Sequence, residues 1–121
     1  PAWFHLDLPR HLFHFPLAAL RELLGRTGFE VVSEHHFSLR QNPFGWIQSA
    51  LNRRPGLPRN GLYTLLYRRG SGERAPFAPG VRRALWAGLL LGAVPSLALT
   101  LAEAGLRSGA TIHLVARKPA A

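Results

Sequence analysis

Pro16-Leu17-Ala18-Ala19-Leu20-Arg21-Glu22-Leu23-Leu24-Gly25-Arg26-Thr27-Gly28-Phe29-Glu30-Val31-Val32-Ser33-Glu34-His35-His36 decides the fold class, because its hydrophobic period changes part-way along. Residues 16–24 predict a short helix. Leu17, Leu20 and Leu24 fall on one face at helical spacing, with Arg21 and Glu22 turned away. Pro16 suits the first helical position, where its missing N–H costs nothing. Gly28 predicts a left-handed C-cap, and Gly25 is a weak spot in the last turn. Residues 29–36 then predict a strand, β-branched at its centre and alternating afterwards. Helix, glycine and strand in this order are an α/β signature.

Downstream, Asn42-Pro43 predicts a second helix reaching about Asn52, with Asn42 as cap, Pro43 at the first helical position, and Phe44, Ile47 and Leu51 on one side. Pro55, Gly56 and Pro58 break it. Asn60 predicts the cap of a third helix, with Leu62, Leu65 and Leu66 as its apolar face and Tyr63 and Tyr67 meeting at i, i+4. Residues 68–80, rich in Gly, Pro and Arg, read as a loop. Residues 110–117 alternate Thr, His, Val and Arg with Ile, Leu and Ala, predicting a second strand. It has only the first strand to pair with, so everything between them reads as a helical insertion.

Residues 84–102 form a run of 19 without a charge. As a helix it would extend about 28 Å, near the thickness of a bilayer's hydrocarbon layer. Ala84, Gly88, Gly92, Ser96 and Thr100 recur every fourth residue, a small-residue stripe that lets another helix approach closely. Pro95 predicts a kink or a split into two helices. Three settings stay open: a buried helix pair, a membrane span, or a kinked hairpin in the bilayer interface.

The net charge is +9, from fourteen arginines and one lysine against six acids. Eight of those cations lie between Arg53 and Arg83, with Glu73 the only acid among them. Such a field suits an anionic partner. Nucleic acid is disfavoured, because the cations adjoin an apolar run rather than interleaving with stacking aromatics. With no cysteine there is no disulfide, thiolate nucleophile or sulfur-ligated metal. No signal peptide is expected; the expected location is cytoplasmic, with the inner face of the membrane as an open alternative.

The segment Leu6-Asp7-Leu8-Pro9-Arg10-His11-Leu12-Phe13-His14-Phe15, together with Gly28-Phe29-Glu30-Val31-Val32 and Gln41-Asn42-Pro43-Phe44-Gly45-Trp46-Ile47-Gln48-Ser49-Ala50-Leu51-Asn52, resembles the C-terminal half of a class I S-adenosylmethionine-dependent methyltransferase. The likeness is to bacterial members with a Pro-Arg-His-Leu segment. It implies a Rossmann-like sheet whose final strand is antiparallel, with residues 1–36 and 110–121 as its last elements and 37–109 as a helical insertion on the acceptor side, whose apolar run leaves membrane association open. The Gly-rich loop and ribose-binding acid of that family are missing. The resemblance therefore implies a fragment that needs S-adenosylmethionine in the intact enzyme but neither binds it nor turns over alone. Its partners would be a missing N-terminal half or a second copy, and a small-molecule or lipid-linked acceptor.

His11 and His14, three residues apart, can face one side of a turn. The resemblance puts His11 in the acceptor pocket as base or hydrogen-bond partner, Arg10 on an anionic group of the acceptor, and His14, Gln41 and Trp46 around it. The competing assignment has both histidines fixing the loop by hydrogen bonds to its backbone. His35 and His36, as strand neighbours, point to opposite faces and do not share a metal ion. A non-enzymatic alternative is an interaction domain that binds anionic lipid through the basic loop and an apolar helix pair.

Overall fold

The computed structural model of the chain describes residues 2–6, 13–70, 72 and 76–119. Helix α1 runs Leu17–Arg26, with Pro16 before its first turn rather than in it (φ −57°, ψ 143°). Leu17, Leu20 and Leu24 are half-buried and the rest of α1 is exposed, as its spacing predicts. Gly28 takes φ +80°. Its N–H donates to Gly25 O at 3.0 Å and the Phe29 N–H to Leu24 O at 2.9 Å, the paired bonds of a Schellman helix end. The chain so reversed enters strand β1, Glu30–His35.

Strand β2, His113–Arg117, pairs with β1 antiparallel, in the register Glu30↔Arg117 to His35↔His113. The register slips between Val31 and Ser33, so Val32 is the extra residue of a β-bulge. The described residues are thus mixed α/β, with four helices and one two-stranded antiparallel sheet. β2 begins later than residue 110 because Thr111 turns its hydroxyl to Gln41 Oε1, at 3.3 Å, before the ladder starts.

Between the strands lie α2 (Asn42–Leu51), α3 (Gly61–Gly70) and α4 (Pro79–Gly105). Three expectations need correction. Asn42 does not cap α2: Gln41 holds the cap position, while Asn42 is buried and donates from Nδ2 to His36 O at 3.3 Å. α3 continues through Arg68 and Arg69 to Gly70, so the connection to α4 is shorter than composition suggests. Finally, α4 runs unbroken past Pro95, so of the kink or split expected there the split does not occur. Proline removes the bond to the Leu91 carbonyl and its ring crowds that oxygen, yet the helix carries on through it.

The small-residue stripe does what its spacing predicts. A Cβ on Gly88 would stand 2.5 Å from Leu51 Cδ2, and one on Gly92 would stand 3.0 Å from Ile47 Cγ1, so α2 lies hard against α4. Ile47, Leu51, Leu62, Leu65 and Leu85 form the buried core at this junction. Each such side chain contributes about 1.5–3 kcal/mol on burial. Gln48 is buried among them with both ends bonded: Oε1 accepts from the Tyr63 N–H (2.8 Å) and Nε2 donates to Asn52 Oδ1 (2.9 Å). It therefore caps the first turn of α3 from a different helix.

The entering segment, a 3₁₀ turn at Phe4–Leu6, sits across α2 from α4. The Phe4 N–H donates to Ser49 Oγ at 2.9 Å, and Trp3 and Phe4 meet Trp46 and Phe44 edge-on at 5.2 and 5.3 Å. Ser49 lies about 160° around α2 from both Ile47 and Leu51 at 100° per residue. The order across the molecule is entering segment, α2, α4.

Candidate functional site

Polar side chains converge where β1 hands over to α2. Along β1 the two histidines bond on opposite faces, each to the residue two before it: His35 Nε2 to Ser33 Oγ (2.9 Å) and His36 Nε2 to Glu34 Oε1 (2.9 Å). The Arg21 guanidinium reaches across from α1, donating through Nε to Glu34 Oε2 at 3.0 Å, with its Nη2 on the same oxygen. The Glu34 carboxyl is held below its ordinary range, first by the His36 hydrogen bond and then by Arg21. Glu34 is thus an anion at neutral pH, clamped from both sides.

His36 is 6% exposed, with its carbonyl oxygen on Asn42 Nδ2 and its backbone so close to Gly109 that any Cβ there would run into that oxygen. Its Nδ1 and Asn42 Oδ1 are both buried without a partner among the described residues. A small acceptor has no route to an Nδ1 so enclosed, which makes the Arg21–Glu34–His36 chain a brace for the strand-to-helix junction. Nothing in the local pattern of His35-His36 distinguishes the buried ring from the exposed one. The only signal was alternation, which says the two differ but not which faces inward.

Of the residues singled out by sequence, Arg10 and His11 lie outside the described residues. His14 is exposed in the segment leading into α1, between Phe13 and Phe15, whose rings stack at 6.3 Å. Gln41 and Trp46 are brought together on the first turns of α2 as tethers. Gln41 accepts from Thr111, and Trp46 Nε1 donates to Glu103 Oε2 at 3.0 Å, tying α2 to the end of α4 and the approach to β2. That is a different setting from the exposed segment holding His14. Gln48, in the same stretch, is taken up by the core. Among the described residues no group of three or more His, Cys, Asp or Glu is placed to hold a metal ion.

Two apolar grooves flank the α2–α4 contact. One, of about 250 Å³, runs past Leu39, Pro43, Phe44, Leu89 and Leu97, with Arg40 and Ser96 as polar lining. The other, of about 130 Å³, lies by Trp46, Ala50, Pro95 and Leu99. A separate cleft of about 350 Å³ opens over Val32 and Ser33 between Arg21 and Arg107. Of the two apolar grooves only the larger has an arginine at its edge, Arg40, while Arg21 and Arg107 border the more polar cleft.

The turn from β1 into α2, residues 36–41, contains no glycine, and the N-terminus of α2 is filled by Asn42. A dinucleotide-like donor needs a glycine-rich turn whose N–H groups can close on it. The described residues do not fit S-adenosylmethionine, so no chemical step is routed through it. No family model, curated protein or solved structure matches this chain.

Proposed function

We propose that this chain is the C-terminal, acceptor-side part of a class I S-adenosylmethionine-dependent methyltransferase with a Rossmann-like sheet. One observation carries the reading. A helix, a Schellman turn and a strand are followed, after a helical insertion, by a strand that returns antiparallel beside the first. That is the order and sense the resemblance implies for the last elements of the fold, with β2 pairing β1 on one edge and leaving its other edge for a neighbour. The glycine-free turn agrees with donor binding lying elsewhere in the enzyme. In this reading Arg10, His11 and His14 serve the acceptor, and the apolar groove beside Arg40 favours a lipid-linked one. His11 takes or holds the acceptor proton, and Arg10 pairs with its anionic group.

The test uses the polypeptide of the complete reading frame, titrated with S-adenosylmethionine by calorimetry and assayed with methyl-labelled donor on small and lipid-linked acceptors. Donor binding and label transfer are expected, with His11→Ala lowering kcat by about 10²–10⁴-fold at unchanged donor affinity. A complete polypeptide that binds no donor and transfers no label overturns the reading. Full turnover by His11→Ala would remove only the role of that residue.

A further inference from the structure

Among the described residues, none covers the outward side of α4. Leu90, Leu91 and Val94 are 73%, 79% and 78% exposed, and Leu101 continues the same stripe two turns on. At 100° per residue these positions lie opposite Leu85, Gly88, Gly92 and Ser96, which face the core. α4 is long and apolar enough to cross a bilayer, yet its outer stripe is left in the open. An uncovered aliphatic face of this kind calls for an occupant.

Charge identifies it. α2 runs antiparallel to α4, since Leu51 meets Gly88 and Ile47 meets Gly92. The exposed Arg53 and Arg54 that follow α2 are therefore carried toward the N-terminal end of α4, where Arg82 and Arg83 are also exposed. Arg83 precedes Leu90 by seven residues and Val94 by eleven, placing it at the head of the apolar stripe itself. A bilayer with acidic headgroups complements both parts, phosphate meeting guanidinium and acyl chain meeting leucine. A second copy of the chain does not. Packed parallel, it would bring arginine onto arginine. Packed antiparallel, it would offer the C-terminal end of α4, where Glu103 is engaged by Trp46 and the next charge is Arg107. The entering segment cannot reach this face either, since it sits on the far side of α2.

We propose that α4 lies in the surface of an anionic phospholipid bilayer, its Leu90–Val94–Leu101 stripe embedded and the arginines at its N-terminal end on lipid phosphates. It lies in the interface and does not span. Its partner α2 has ten residues, about 15 Å, half of what a span requires, and the two helices are packed together. The orientation needs neither donor nor acceptor, so it stands or falls apart from the proposed enzymatic role.

The test is flotation of the full chain with phosphatidylcholine vesicles, with and without phosphatidylglycerol. Binding is expected only with the anionic lipid, weakening as salt rises. Arg82→Gln/Arg83→Gln should weaken it about 30-fold. Leu90→Glu/Val94→Glu should abolish it while circular dichroism stays unchanged, since both side chains are largely exposed. The absence of cysteine allows one nitroxide at Val94→Cys. With anionic vesicles that label should gain oxygen accessibility and lose contact with a water-soluble relaxant, whereas a label at the exposed Glu22→Cys should not. Equal binding to neutral vesicles, no effect of Leu90→Glu/Val94→Glu, or a dimer that those changes dissolve while no vesicle is bound would each overturn the proposal.

Discussion

At the scale of single residues, the described hydrogen bonds hold polar groups that burial would otherwise penalise. Gln48 bridges Tyr63 N–H and Asn52, and Asn52 in turn accepts from the Asn60 N–H at 2.8 Å and donates to Asn60 Oδ1 at 3.0 Å. Leucine at position 48 would fit the volume but leave the part-buried Tyr63 N–H without its acceptor. Gln48→Leu is expected to cost about 1–3 kcal/mol, read as a lower midpoint in urea with unchanged slope. Glu34 behaves differently because it titrates. Its folded carboxyl is depressed by His36 and Arg21, so the stabilisation is complete above the ordinary carboxylate range and is lost as pH falls through the lowered value. Glu34→Gln should flatten that acid limb of the stability profile. Superimposable wild-type and variant profiles below neutral pH would show the brace to be idle.

At the scale of elements, the α2–α4 contact depends on two missing side chains. Gly88→Leu would push into Leu51, and the strain of overpacking, about 1–3 kcal/mol, outweighs the propensity gained by removing a helical glycine, about 1 kcal/mol. A Cβ added at Gly80, in the same helix, would meet nothing within 4 Å. Gly80→Ala should therefore raise stability by up to about 1 kcal/mol. Thermal melts of the two variants moving in opposite directions would check the geometry. The contact was legible in sequence because a four-residue repeat of small side chains has one physical use. The cap at Gly28 was legible for a similar reason, since few residues tolerate φ +80°. Asn42 was not. Its side chain had a local use as a cap and a distant one at His36, and only the folded backbone decides between them. Gln48 capping α3 has no local signal at all.

Across the whole molecule, the buried aliphatic core belongs to α2, α3 and α4, whereas both strands keep exposed residues along their length. The order of elements could be read in the sequence, because each has its own period and punctuation. The uncovered side of α4 could not, since an uncharged run looks alike whether protein, lipid or water meets it. The contact between His36 and Gly109 has a consequence for how the chain folds. β1 and β2 are separated by more than seventy residues, and joining such distant segments directly would cost roughly 4 kcal/mol of closure entropy. Once the helices have packed, His36 lies against Gly109 and Gln41 holds Thr111, so only a few free residues remain between the two strands. The ladder can then zip from that end as a hairpin would. The long-range search is done by helices that form from local contacts, and the sheet inherits a short loop.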